Sequence, residues 1–82
     1  MNEELSEIVE FIKELEEEGN MPKNVKAKFQ GIVKELKETT EENLSLTINK
    51  LLSDLDEISS DANLDQFTRQ QIWSISSMLE GI

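Results

Sequence analysis

The feature that most constrains the fold of this chain is an internal repeat of its apolar residues after 43 positions. The aligned apolar pairs are Leu5 with Ile48, Ile8 with Leu51, Val9 with Leu52, Ile12 with Leu55, Leu15 with Ile58, Phe29 with Ile72, Ile32 with Ile75, and Leu36 with Leu79. The register also holds across a polar junction, where Asn20 and Met21 fall on Asn63 and Leu64. A match that continues through two helices and their junction is hard to obtain by chance. The sequence therefore predicts two tandem helical hairpins.

The first hairpin is expected over residues 3–38. Apolar residues at three- and four-residue steps predict a helix from about Glu3 to Glu18, capped by Asn2 and ended by Gly19-Asn20. Pro22 fixes its own φ and disfavours helical geometry in the residue before it. The second helix should therefore begin at or just after Pro22.

The second hairpin is expected over residues 41–80. Thr39 and Glu42 have the spacing of a capping box, which predicts the start of a third helix that runs to about Ser59. A fourth helix should run from near Asp65 to about Glu80. Its expected apolar set is Phe67, Ile72, Ile75, Met78 and Leu79. The four amphipathic helices predict one all-α domain over residues 1–82, since strand-type alternation is absent.

The composition argues against most catalytic and metal chemistry. The chain has no Cys and no His, which removes thiol nucleophiles, zinc–thiolate sites and Ser–His pairs. Its three isolated glycines cannot form a phosphate-binding loop. We therefore expect no enzyme activity, no metal, no cofactor and no small-molecule substrate. No apolar segment reaches membrane-spanning length, and the absence of cysteine is consistent with a cytoplasmic protein.

The net charge of −10 is unevenly distributed along the chain. Residues 20–37 carry a net charge of +4 and lie between two strongly acidic segments. The basic residues there are Lys23, Lys26, Lys28, Lys34 and Lys37. They could pair with the neighbouring acidic helices, or they could contact the phosphates of a nucleic acid. The acidic chain as a whole argues against nucleic acid, which stays the alternative function.

The back of the last helix is the strongest candidate for a protein-binding surface. Trp73 lies about 100° from the centre of the apolar stripe at Ile72, and its counterpart in the first copy is Gln30. The candidate interface residues are Trp73, Gln66, Arg69, Gln70 and Ser77. An aromatic residue on a surface of low charge is typical of an interface centre, which favours a homodimer. The opposite interpretation, that Trp73 packs over the edge of the core, stays open because a single Trp is usually well buried.

Two-helix units of this length resemble HEAT-type repeats, in which a junction with Pro leads into a helix with a basic residue. Pro22 and Lys26 fit this pattern, while the second copy has Asp65 in place of Pro and Arg69 as the basic residue. Such repeats usually need three or more units to bury their faces. Two HEAT-like hairpins should therefore close into a compact, bundle-like array or self-associate.

The whole chain also resembles family 0147 in the series of uncharacterised protein families, whose members are small archaeal proteins. The resemblance covers nearly the full length, and its last segment is the most specific. It rests on Asn20-Met21-Pro22-Lys23-Asn24-Val25-Lys26, on Leu55-Asp56-Glu57-Ile58-Ser59-Ser60-Asp61, and on Thr68-Arg69-Gln70-Gln71-Ile72-Trp73 with Leu79-Glu80 and Ile82. It implies a four-helix protein of archaeal, cytoplasmic origin with no assigned activity and no functional residues to carry over.

Overall fold

The computed structural model describes residues 3–18 and 21–82, which form four α-helices. These helices are α1 (Glu3–Glu17), α2 (Lys23–Glu38), α3 (Leu44–Ser59) and α4 (Gln66–Glu80). No residue in the described ranges is in a strand, so the predicted all-α class is confirmed. The expected caps of α1, Asn2 and Gly19-Asn20, lie outside the described residues.

The start of α2 follows the prediction. Pro22 is its N-cap residue with φ −59°, and the Pro22 carbonyl accepts a hydrogen bond of 2.9 Å from the Lys26 amide. The fixed φ of proline suits this position, where the missing N–H would have no partner in the helix.

The capping box predicted at Thr39 and Glu42 is wrong, because Thr39 closes α2 instead of opening α3. The Thr39 amide donates to the Glu35 carbonyl at 3.0 Å, and its backbone is extended. The Thr39 hydroxyl lies 2.9 Å from the Thr47 hydroxyl of α3. The Thr39 side chain therefore contacts α3 without being part of that helix. The third helix consequently begins only at Leu44.

The helices pack in a closed ring. α1 contacts α2 and α4, and α3 contacts the same two helices. Within the described residues, the backbones of the repeat-equivalent helices do not approach each other: α1 lies diagonal to α3, and α2 lies diagonal to α4. Stacked HEAT-type units would place equivalent helices of successive units side by side. The HEAT-like arrangement is therefore not confirmed, whereas the compact four-helix array is observed.

Burial in the core follows the internal repeat. Six aligned pairs are buried in both copies: Ile8 and Leu51, Ile12 and Leu55, Leu15 and Ile58, Phe29 and Ile72, Ile32 and Ile75, and Leu36 and Leu79. The two hairpins therefore bury equivalent positions. The pattern of helix contacts has an approximate two-fold relation between the hairpins. If the hairpins are exchanged, α1 takes the place of α3 and α4 takes the place of α2, so the α1–α4 contact becomes the α2–α3 contact.

One residue assigned to the core from the sequence lies outside it. Phe67 is 42% exposed, so its place in the apolar set of α4 was a wrong prediction. The first turn of α4 instead buries Thr68, which is 5% exposed and falls on the buried Val25 in the repeat. The Thr68 hydroxyl bonds to Asp65, which makes its burial compatible with a polar side chain.

Candidate functional site

Trp73 lies on the surface of the molecule. Its side chain is 52% exposed, which rules out the alternative that it completes the core. The equivalent residue Gln30 is also exposed, so neither copy of the repeat buries this position. A half-exposed tryptophan leaves a large apolar area in contact with water.

Four of the five residues proposed around this surface are accessible. Gln66, Gln70 and Ser77 are exposed together with Trp73, while Arg69 is half-buried. The part of α4 from Gln66 to Leu79 contains Arg69 as its only charged residue. This helix face is therefore nearly neutral in a chain of net charge −10.

Arg69 has a role inside the chain that the sequence did not predict. Its Nε donates to the Ser59 carbonyl at 3.0 Å, and its Nη2 donates to the carbonyls of Asp61 at 3.0 Å and Leu64 at 3.4 Å. These carbonyls belong to the end of α3 and to the loop that follows it. The guanidinium therefore fixes the α3–α4 connection and is largely engaged before any partner arrives. The sequence signal for this role was the position of Arg69, which matches the basic residue that follows the junction in the HEAT-type pattern.

Asp65 holds the other side of the same connection. Its carboxylate accepts a hydrogen bond from the Thr68 amide at 3.2 Å and a second one from the Thr68 hydroxyl. The Thr68 hydroxyl bond, aided by backbone N–H groups, lowers the pKa of Asp65 below its usual value. Asp65 and Arg69 together fix the start of α4, and with it the position of Trp73.

An apolar groove lies between α3 and α4 beside this surface. It has a volume of about 470 Å³, and its apolar lining residues are Leu44, Ile48, Leu52, Leu79 and Ile82. Ile48 and Leu52 are only half-buried, although the equivalent residues Leu5 and Val9 are each 4% exposed. The second hairpin therefore leaves partly open an apolar face that the first hairpin closes.

The groove and Trp73 lie on the same side of α4. Arg69 is one turn before Trp73 on the same helix face, and Glu80 is two turns after it. The Arg69 side chain reaches the end of α3, and Glu80 lines the groove. Since both neighbours on this strip of α4 face α3, Trp73 also lies toward α3. Helix geometry therefore places Trp73 on the side of α4 that carries the groove.

The basic face of α2 is free of ion pairs with the acidic helices. Lys23, Lys26, Lys28, Lys34 and Lys37 are all exposed. Throughout residues 3–18 and 21–82, the one ion pair present joins Lys50 to Glu35. The Lys13 ammonium beside Lys37 lowers the pKa of Lys37, so two like charges approach each other across α1 and α2. The lysines of α2 therefore remain available to an external anion.

The acidic side chains do not form a metal site in the part of the chain that the structure describes. No group of three or more His, Cys, Asp or Glu residues there is arranged to hold a metal ion. Over the same ranges, no helix is both long enough and apolar enough to cross a membrane.

Comparison with known proteins assigns the chain to a family. The profile of the Uncharacterised protein family (UPF0147) matches residues 1–82. The chain belongs to this family. A UPF0147 protein of Archaeoglobus fulgidus is 34% identical over 80 residues, which cover 95% of this chain and 87% of the relative. A UPF0147 protein of Methanothermobacter thermautotrophicus is 28% identical over 81 residues, covering 99% of this chain and 78% of the relative. The resemblance predicted from the sequence is confirmed.

A solved structure shares the fold. It is a crystal structure of the protein of unknown function MMP1188, which is 32% identical in sequence. The two structures superpose with a TM-score of 0.83 over 96% of this chain and 89% of that one. The two proteins therefore share this four-helix architecture.

Proposed function

We propose that this UPF0147 chain is a non-enzymatic interaction module that self-associates through Trp73 and the adjoining α3–α4 groove. The observation that carries the proposal is the 52% exposure of Trp73 on the neutral face of α4. Aromatic side chains are enriched at the centres of interfaces, and charged residues are depleted there. Burial of Trp73 would extend over Leu52 and Ile48 in the same contact.

A second copy is compatible with the charge of this surface. Two chains that each carry a net charge of −10 repel each other, and a nearly neutral contact surface adds no further local repulsion. α4 provides such a surface, since Arg69 is its only charge between Gln66 and Leu79 and is bonded to backbone carbonyls. A two-fold contact places the neutral part of α4 against the same part of the second copy, with Glu80 at the groove end of the contact.

Sedimentation equilibrium over a wide concentration range tests this proposal. Truncation of a central interface tryptophan typically costs at least about 2 kcal/mol, which weakens self-association about 30-fold. We therefore expect the wild type to be dimeric and Trp73→Ala to be monomeric at the same concentrations. Gln30→Ala is the matched control, because Gln30 is the exposed residue at the repeat-equivalent position. A monomeric wild type at every concentration contradicts the proposal, as does a Trp73→Ala variant that dimerises like the control.

Nucleic-acid binding by α2 is the second candidate function, and the free lysines support it. Phosphate contacts release counterions, so affinity for a nucleic acid should fall steeply as salt concentration rises. Lys34→Gln should weaken binding to a duplex of any sequence and reduce the slope of affinity against salt by about one. Fluorescence anisotropy at several salt concentrations measures both effects. Binding that is absent at low salt excludes this function.

A further inference from the structure

Four residues of α4 lie on one strip of the helix surface. They are Arg69, Trp73, Ser76 and Glu80, and they follow each other at steps of four, three and four residues. Residues three and four positions apart lie on the same face of a helix. The Arg69 side chain reaches the end of α3, and Glu80 lines the groove between α3 and α4. The strip therefore lies on the α3 side of α4, with its Glu80 end at the groove.

The spacing of this strip is the same when it is read from either end. An antiparallel second copy of α4 can therefore place Arg69 opposite Glu80 and Trp73 opposite Ser76 at the same time, because both pairs share one midpoint in the sequence. A two-fold axis through that midpoint forms each pair twice, once on either side of the axis. The strip thus has the geometry of a self-complementary contact.

Both charges on the strip lack a partner of opposite sign inside the chain. Arg69 and Glu80 are the only charged residues of α4. Arg69 donates to neutral backbone carbonyls through Nε and Nη2, and its Nη1 makes only a long hydrogen bond of 3.5 Å to the Gln66 side chain. In the part of the chain that the structure describes, the ion pair present joins Lys50 to Glu35. Arg69 therefore keeps an uncompensated positive charge, and Glu80 keeps an uncompensated negative charge.

These two charges favour one orientation of a second copy. Antiparallel α4 helices bring Arg69 of each copy to Glu80 of the other, which gives one ion pair at each end of the contact. Parallel helices would place Arg69 against Arg69 and Glu80 against Glu80. Like charges that face each other across an interface are costly and exclude wrong arrangements. Charge complementarity on α4 therefore indicates an antiparallel contact with a second copy.

The same register provides a position for Trp73. The residue opposite Trp73 is Ser76, whose side chain is small and half-buried. Ser76 is one turn before Glu80, so Trp73 of the second copy comes within reach of the groove. Ile48 and Leu52 of the groove are themselves only half-buried. The contact would remove the exposed indole and this open apolar lining from water together.

A neighbouring strip of α4 has the same spacing but carries no charge. Its residues are Gln66, Gln70, Trp73 and Ser77. An antiparallel contact through that strip would place Trp73 opposite Gln70 and would leave Arg69 and Glu80 unpaired. Charge therefore favours the first register over this one, and the two registers predict different distances between equivalent residues of the two copies.

We infer that two copies of this chain pair through antiparallel α4 helices, with Arg69 of each copy against Glu80 of the other and Trp73 of each copy at the α3–α4 groove of the other. The inference rests on the proposed self-association and adds its orientation and register. The ends of the contact are ionic and its centre is aromatic. The ion pairs determine the orientation, and the buried tryptophan supplies most of the affinity.

Disulfide cross-linking tests the orientation, because the chain has no native cysteine. In the proposed register, the two copies of position 76 lie about 4.5 Å apart along the helix direction, and the two copies of position 66 lie about 25 Å apart. Only the first separation is within reach of a disulfide. Ser76→Cys should therefore give a covalent dimer on mild oxidation, and Gln66→Cys should not.

The other arrangements give different results in the same experiment. Parallel helices would cross-link through both positions. The uncharged register separates the two copies of position 76 by about 14 Å along the helix direction, so Ser76→Cys would stay uncross-linked. A cross-link through position 66, or the absence of one through position 76, overturns the inference.

Charge reversal at Glu80 tests the ion pairs. An exposed ion pair is worth a factor of about 1.5–5 in an equilibrium constant, and Glu80→Lys removes two of them. The Kd of the dimer, measured by sedimentation equilibrium, should therefore rise about 2- to 25-fold. Glu38→Lys is the matched control, because Glu38 is the exposed last residue of α2 and its reversal changes the net charge equally. The control should not weaken the dimer, and equal effects of the two reversals overturn the inference.

Failure of this inference can be told apart from failure of the proposed function. A wild type that stays monomeric at every concentration overturns both. A dimer that Trp73→Ala dissociates, but that cross-links through position 66, retains the proposed self-association and overturns only the antiparallel arrangement.

Discussion

Replacement of Gly31 by alanine should stabilise the protein. Gly31 lies in the middle of α2, which runs from Lys23 to Glu38. Glycine in a helix interior is about 0.5–1 kcal/mol less favourable than alanine, because it loses more backbone freedom on folding. An added Cβ meets no atom within 4 Å, so no steric cost offsets this gain. We therefore expect Gly31→Ala to increase the free energy of unfolding by about 0.5–1 kcal/mol.

Thermal unfolding followed by far-ultraviolet circular dichroism measures this change. For a domain of this size, about 1 kcal/mol shifts the melting temperature by roughly 4–8 °C, so the expected rise is about 2–8 °C. Urea denaturation at a fixed temperature gives the free energy directly, and an unchanged slope confirms that the surface exposed on unfolding is the same.

Gly81→Ala is the matched control. Gly81 follows the last residue of α4, and its Cβ would make ordinary contacts with the carbonyl oxygens of Met78 and Ser77 at 3.5 and 3.7 Å. Because a terminal position gains less from helix propensity, its shift should be smaller than that of Gly31→Ala. A lower melting temperature for Gly31→Ala would refute the reasoning, since it would require a close contact at a position described as open.

Three further predictions concern the α3–α4 connection and the core. The pKa of Asp65 is below its usual 3.8, so its stabilising effect is complete above about pH 5 and is lost as pH falls through the lowered value. Lowering the pH from about 5 to about 2 should therefore reduce the melting temperature of the wild type more than that of Asp65→Asn. Melting temperatures that fall in parallel for the two proteins would contradict the assignment. Arg69→Met removes donors from three carbonyls and should cost about 1.5–3 kcal/mol in urea denaturation, whereas Lys26→Met, at the equivalent exposed position, should change stability by less than about 0.5 kcal/mol. Leu55→Ala should cost about 2–5 kcal/mol because Leu55 is fully buried, and Leu46→Ala, at a residue 71% exposed, should cost almost nothing; similar losses would show that the core is misassigned.

The sequence predicted the helices and most of the core because both follow from the spacing of apolar residues. The start of α2 was predicted from Pro22, whose effect on the first turn is local. The position of Trp73 could not be decided in the same way. A residue about 100° from the stripe centre lies at the edge of the buried face, and only the neighbouring helix determines whether it is covered.

Other features depend on contacts between segments that are distant in sequence. Thr39 has the right spacing for a cap of α3, but its amide is already bonded to Glu35 and its hydroxyl faces Thr47. The role of Arg69 depends on the loop carbonyls that surround it.

The approximate two-fold relation of the hairpins has an evolutionary consequence. Two identical hairpins in a symmetric homodimer would form the same set of helix contacts as this bundle. Because the two hairpins would have the same sequence, both members of each pair of equivalent positions would hold the same residue. Joining two hairpins in a single polypeptide removes that constraint, because each copy then mutates separately. Position 35 can hold Glu while position 78 keeps Met. A single polypeptide can therefore keep an apolar contact on one side of the bundle and place polar side chains at the equivalent positions on the other.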